Sequence, residues 1–253
     1  LELLGPTEAG ARARGHDDGP GFGGGRRGRR HGMQSTMTSA MVDQGVLRDV
    51  VLFRDLGPDA LSAISAAATL IDFERGDAVF SLDDEPEQLY VVSSGRVAIA
   101  NKSEDGRESL IALMEPGDLF GEMPLFDGLP RSAEARALEE SQLICIPYEP
   151  LKRIFEEEPG HLWKVVELLA SRLRVTDEAL ADSVFLDVTG RTAKRLLELA
   201  GESDHFELPI TQEELAGMVG ASRERVNKAI ASFIRLGWLE PDDGGYTITN
   251  RQQ

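Results

Sequence analysis

The chain holds a single cysteine, Cys145, among 253 residues. One thiol cannot close an internal disulfide, and it cannot furnish a four-cysteine zinc or iron–sulfur site within one chain. Histidine is nearly as scarce, and His16, His31, His161 and His205 show no paired spacing of the kind a metal or haem site would use. No apolar run approaches the roughly 18 residues of a membrane-spanning helix. The N-terminus has no apolar stretch of the secretory type. These absences lead us to expect a cytoplasmic protein that makes no use of the membrane. No nucleophile–base pair or metal cluster is legible, so the chain does not read as an enzyme. Basic charge is also in deficit: 27 Lys and Arg stand against 44 Asp and Glu, a formal net charge of −17. Taken globally this argues against a nucleic-acid partner. Screening confines each charged patch to about 10 Å at 0.1 M salt, however, so the local pattern decides.

What is present suffices for two modest domains, with 41% hydrophobic and 28% charged residues. Residues 1–44 differ from the rest. Ten of the 26 glycines fall in the first 32 residues, and Gly21–Gly32 reads GFGGGRRGRRHG. Such a segment buries too little apolar surface to offset its ordering entropy. We expect a disordered tail, with a basic DNA-touching arm as the alternative. Met33, Met37 and Met41 each offer a later start.

Val46–Ala68 has helical spacing broken at Gly57-Pro58. Short apolar or β-branched runs follow at Ile71–Phe73, Ala78–Phe80, Leu89–Val92, Val97–Ala100, Ser109–Leu113 and Gln142–Ile146, separated by turns such as Arg75-Gly76-Asp77 and Pro116-Gly117-Asp118. Many short strands with Gly-Asp turns predict an antiparallel barrel or jelly roll over residues 45–159. Beyond Pro150 the period becomes helical. Leu162, Val166, Leu169, Leu173, Thr176 and Leu180 alternate at four- and three-residue steps, continued by Ser183 or Val184. A strict heptad with charged residues on the other faces predicts a parallel two-fold homodimer through a helix about 36 Å long, within a segment 160–186 that includes a hinge. A core helix lying on its own barrel is the competing interpretation.

Residues 187–253 carry helix, helix-turn-helix and hairpin signals. Thr211-Gln212-Glu213-Glu214 fits a capping box ahead of a helix that stops at Gly220. Ser222 is placed to cap a second helix beginning Arg223-Glu224-Arg225-Val226-Asn227-Lys228. Between Ala221 and Gly237 four basic residues, Arg223, Arg225, Lys228 and Arg235, face only Glu224, opposite in sign to the chain as a whole. A helix entering the major groove needs such hydrogen-bonding side chains on its first two turns. Asp243-Gly244-Gly245 between Trp238–Glu240 and Tyr246–Thr249 reads as the turn of a wing.

Four segments, in this order and at these separations, resemble the cAMP receptor protein/FNR family over roughly residues 46–249: Gly121–Phe126 with Arg131-Ser132-Ala133, Arg172–Thr176, Phe185–Arg191, and Val219–Glu224. The resemblance implies an α+β fold: an N-terminal jelly-roll cyclic-nucleotide-binding barrel, a long dimerisation helix, and a C-terminal winged helix-turn-helix. It implies a cAMP-responsive transcriptional regulator that acts as a homodimer on palindromic double-stranded DNA with a TGTGA-like half-site. By the same resemblance Glu122 meets the ribose, while Arg131 and Ser132 meet the phosphate beside Gly121. Arg172 lies near the pocket within reach of Glu122. Thr176 bonds the adenine, with Asp177 contributed by the other subunit. For DNA it implies Arg223 and Glu224 as base-contacting residues, with Lys228 in place of a family arginine, alongside Thr211, Ser222, Arg225 and Asn227. RNA polymerase is a further implied partner, although the loop between Ala200 and Thr211 is about six residues shorter than in the best-known members, where it carries that contact. Two alternatives within the fold are a haem or redox sensor and a regulator with a vestigial pocket.

Overall fold

The apolar run Leu89–Val92 cannot hide every second side chain on one face of a strand, and the fold buries both faces. The computed structural model describes residues 37–38, 42–102, 108–242 and 244–252. The strands are β1 (Met37–Thr38), β2 (Thr69–Phe73), β3 (Ala78–Phe80), β4 (Gln88–Ser94), β5 (Val97–Lys102), β6 (Glu108–Met114), β7 (Leu119–Phe120), β8 (Glu134–Ala137) and β9 (Ser141–Pro147). They form two antiparallel sheets, ordered β1-β2-β9-β4-β7 and β3-β8-β5-β6. Phe73, Tyr90, Val92, Phe120, Leu143 and Cys145 of the first sheet pack with Val79, Val97, Ala135 and Ala137 of the second. On the outer face of the first sheet, Leu89, Val91, Ile144 and Ile146 pack against α1 (Gln44–Asp49), α2 (Pro58–Ala67) and α4 (Tyr148–Glu157). A short helix, α3 (Met123–Asp127), lies between β7 and β8.

The Gly-Asp turns share one mechanism. Asp77 and Asp118 each accept a hydrogen bond from the backbone three residues upstream, at Glu74 and Glu115 (2.9 Å in both). Gly76 and Gly117 take the positive φ (91° and 93°) that a type II turn demands at its third residue. Strand β8 was not visible in the sequence. Glu134-Ala135-Arg136-Ala137 alternates correctly, but alanine is depleted in strands and gives no propensity signal.

The expected tail boundary at residue 44 needs correction. Met37–Thr38 pairs with Leu70 and Ile71, Val42 is buried in the core, and Asp43 caps α1 through Gly45. Ordered structure reaches further upstream because strand pairing and one apolar anchor outweigh a composition-based expectation. The Gly/Arg-rich stretch and Asp243 of the wing turn lie outside the described residues.

The long helix α5 (Leu162–Phe185) leads through Asp187, which caps α6 (Val188–Ala200) by accepting from the Gly190 N–H at 2.8 Å. Lys194 of α6 reaches back to Glu178 and Asp182 of α5 (2.8 and 2.6 Å). The remaining elements are β10 (His205–Glu207), α7 (Gln212–Val219), α8 (Arg223–Arg235), β11 (Leu239–Asp242) and β12 (Gly245–Ile248), the strands ordered β10-β12-β11. Pro241, which has no N–H to give, sits on the edge strand β11. Helix α7 lies against β6, so that a Cβ on Gly217 would sit 3.4 Å from the Glu108 carbonyl. Arg136 joins the two elements through Glu108 (2.6 Å) and Glu214 (3.5 Å).

Cys145 is fully buried, and burial pushes its thiol up to about 12. We expect no reaction with a thiol reagent at pH 8 until denaturant is added, when one thiol per chain appears. Above about pH 8.5 only the unfolded thiol ionises, so this group makes stability fall as pH rises towards the folded value. A fast one-equivalent reaction of the native chain would contradict the packing.

Candidate functional site

A cavity of about 610 Å³ opens between the sheets and α5, within the size range of small-molecule sites. Its walls are largely apolar, with Ile99, Ile111, Leu113, Met114 and Val175 among them. Gly121, Glu122, Arg131, Ser132, Arg172 and Thr176 also line it, so the structure gathers these six residues from β7, α3, β8 and α5 or their flanks. Asp177 does not line the cavity of its own chain and is exposed on α5.

The polar wall contains two buried charged groups in unlike situations. Glu122 is fully buried; its Oε1 accepts from Arg172 Nη1, while its Oε2 is buried without a partner among the described residues. Arg172 also donates to the Leu119 carbonyl, which fixes it against the sheet. The guanidinium is thereby spent on neutralising Glu122. Arg131 is only 4% exposed, yet no described carboxylate lies within ion-pairing distance. Its partners are all neutral. Nη1 donates to the Gly121 carbonyl (2.8 Å) and the Tyr148 hydroxyl (3.0 Å), and Nη2 donates to the Gln88 carbonyl (2.6 Å). The guanidinium carbon lies 4.2 Å from the centre of the Phe80 ring and 5.6 Å from that of Tyr90.

Gly121 is required here for two reasons. Its φ is +77°, and a Cβ would come within 2.7 Å of Arg131 Nη1. Ser132 is exposed at the rim. Thr176 donates its hydroxyl proton to the Arg172 carbonyl (3.0 Å), which leaves its oxygen as an acceptor. The residues that hold Arg131, namely Phe80, Gln88, Tyr90 and Tyr148, escaped the sequence analysis. Nothing local marks them, since they come from two strands, β3 and β4, and the start of α4, and meet only in space. Burial raises the hydroxyl of Tyr90 and pushes that of Tyr148 up to about 12, so both stay protonated at neutral pH.

The second candidate surface is α8. Arg223, Glu224, Arg225, Asn227 and Lys228 are exposed and have no side-chain partner among the described residues. Val226, Ala229, Ile230 and Phe233 form the buried face. Thr211 caps α7 in a complete capping box: its Oγ1 accepts from the Glu214 N–H, and Glu214 returns to the Thr211 N–H. Ser222 occupies the N-cap of α8, but its side chain accepts no capping bond, contrary to expectation. Its hydroxyl is left exposed at the positive end of the helix, where it can serve an anion. Along α5 the heptad face is uncovered, and Leu173 and Leu180 are 60% and 63% exposed. Trp163, Val175 and Phe185 extend that apolar surface beyond the heptad positions.

Comparison with known proteins places α8 and the Gly121–Ser132 part of the cavity wall in matched regions, with Arg172 and Thr176 of α5 lying between them. Residues 70–158 match the cyclic nucleotide-binding domain, and residues 190–253 match the Crp-like helix-turn-helix domain. A CRP-like cAMP-activated global transcriptional regulator of Mycobacterium tuberculosis is 36% identical over 215 residues, covering 82% of this chain and 96% of the relative. The cAMP-activated global transcriptional regulator CRP of Salmonella typhimurium is 36% identical over 154 residues, covering 58% of this chain and 73% of the relative. Among solved structures, the c-di-GMP responsive global regulator CLP of Xanthomonas campestris superposes with a TM-score of 0.67 at 26% identity, covering 77% of this chain and 100% of that one.

Proposed function

Because the chain belongs to the cAMP receptor protein/FNR family of transcriptional regulators, we propose that it is a homodimer that binds cAMP in the barrel cavity and reads palindromic DNA with α8. The family makes it a DNA-binding regulator with a cyclic nucleotide-binding domain, and not an enzyme. One observation carries the choice of ligand: Arg131 is a buried cation with neutral partners only. Buried charges are stable when paired. Glu122 and Arg172 cancel one another and Asp118 of the lining is exposed, so Arg131 is the buried charge of the wall that lacks a counter-charge among the described residues. A cyclic mononucleotide brings one negative charge in its phosphodiester. It also brings a ribose hydroxyl, the donor that the unpartnered Glu122 Oε2 lacks.

Adenine would then lie towards α5, against Thr176 and the partner subunit's Asp177. An ionised Asp177 accepts hydrogen bonds and cannot donate them. It favours the adenine 6-amino group and repels the guanine oxygen. Titration calorimetry with cAMP and cGMP tests this, and cAMP should bind roughly tenfold or more tightly. Equal or reversed affinities would remove the proposed base contact. The likeness to a c-di-GMP responsive regulator makes that dinucleotide the competing effector, and saturable binding of it in place of cAMP would favour the second reading. Cyclic-di-GMP carries two phosphodiester charges, which suits a wall with one unpaired buried cation less well.

For DNA, α8 presents the donors and acceptors that base edges require. Arg223 can bond guanine O6 and N7 together, and Glu224 can accept from cytosine N4. Lys228 lacks the forked geometry of arginine and relaxes one position. Arg223→Ala should cost roughly 1–3 kcal/mol of discrimination against a mismatched half-site. Footprinting with an unchanged sequence preference would show the register to be wrong. Ligand bridging two copies of α5 would set the distance between the reading helices through the Asp187–Gly190 joint, to the extent that it binds one arrangement better than the other.

A further inference from the structure

We propose that Tyr148 is the positioning residue for Arg131: its hydroxyl, locked against the Gly121 carbonyl, holds the guanidinium so that its remaining N–H groups face the ligand's anionic oxygens. The proposal rests on the reading of Arg131 as the phosphate group's partner, and it adds a residue to which neither composition nor motif pointed.

The argument is a count of donors. A guanidinium has five N–H groups. Three are directed to the Gly121 carbonyl, the Tyr148 hydroxyl and the Gln88 carbonyl. Two remain, and one of them, on Nε, is buried without an acceptor. A phenol has one proton, and Tyr148 donates it to the Gly121 carbonyl. Its oxygen is therefore left to accept, and it accepts from Arg131 Nη1 at 3.0 Å. The direction of the bond is fixed by this chain of donors, and it requires the phenol to be neutral, as burial ensures at physiological pH. Phe80 stacks on the guanidinium at 4.2 Å and sets its plane, while Tyr148 sets its rotation within that plane. Tyr148 itself is held from below, because its backbone N–H donates to the Glu87 carbonyl at 3.0 Å and its ring is buried beside Leu151 and Phe155. Orientation of this kind matters for arginine more than for lysine. The planar fork binds a phosphate well only in the correct plane, whereas an ammonium acts as a point charge.

Binding of a fluorescent cyclic adenosine nucleotide by the full-length protein, followed to millimolar concentrations, tests the assignment through a double-mutant cycle. Tyr148→Phe removes one oxygen and keeps the ring. It should weaken binding about tenfold in the wild-type background. In an Arg131→Lys background, where no fork remains to be oriented, the same change should cost less than about threefold. The proposal is overturned if Tyr148→Phe binds like wild type, or if it weakens both backgrounds by the same factor, since a general packing role would act on either. Arg131→Gln separates this from the parent reading: if that variant bound as tightly as wild type, the site assignment itself would fail, whatever Tyr148 did.

Discussion

Arg131→Gln is expected to remove cyclic-nucleotide binding at physiological concentrations while leaving a folded protein. Glutamine has neither the charge nor the fork, and losing one partner of a buried, hydrogen-bonded charge pair costs about 2–5 kcal/mol, or roughly 30-fold to several-thousand-fold in Kd. The variant should fold because Arg131 is a poor stabiliser of the free protein. It is 4% exposed without a counter-charge, and a neutral side chain there relieves a desolvation cost. Thermal melting separates the two effects. At 100 times Kd a ligand stabilises by about 2.7 kcal/mol, which for a protein of this size raises Tm by roughly 5–10 °C. Wild type should show that rise with cAMP and Arg131→Gln should not, with ligand-free midpoints close together. An undiminished shift in the variant would mean that the anion is held elsewhere.

The second large effect concerns α5. Leu173 and Leu180 lie seven residues apart on the uncovered heptad face and are 60% and 63% exposed in the single chain. A double change to glutamate therefore disturbs little packing within the protomer, but would set four carboxylates along the seam of the proposed dimer. Sedimentation should show the mass fall from two chains to one. Palindromic DNA should then bind far more weakly, because the second half-site contact ceases to be intramolecular. At millimolar effective concentration that link is worth about 10²–10⁴-fold. An unchanged dimer mass would move the interface elsewhere.

The two expectations draw on different kinds of information. The apolar face of α5 was legible in the sequence because an α-helix converts spacing into position: residues three and four apart share a face whatever surrounds them. The same rule made the capping box at Thr211 and the exposed polar first turns of α8 legible. The Gly-Asp turns were legible because positive φ and side-chain turn bonds are local properties. The tail boundary and strand β8 were not, since pairing between distant strands, and not local preference, orders Met37–Thr38 and Glu134–Ala137.

The polar wall of the cavity marks the same division more sharply. The motif placed Gly121, Glu122 and Arg131 near one another, and their residue types indicated an anionic sugar. The sequence by itself thus determined the helix faces, the cap at Thr211 and the turns, which follow from spacing along the backbone, while the candidate ligand-binding residues came from a family resemblance. Only the tertiary structure decided which charges are cancelled and which are not. It gave Glu122 the side chain of Arg172, fifty residues away, and gave Arg131 nothing but carbonyls, a hydroxyl and two aromatic rings. Charge pairing in a low-dielectric interior depends on separations of a few ångströms between segments remote in the chain.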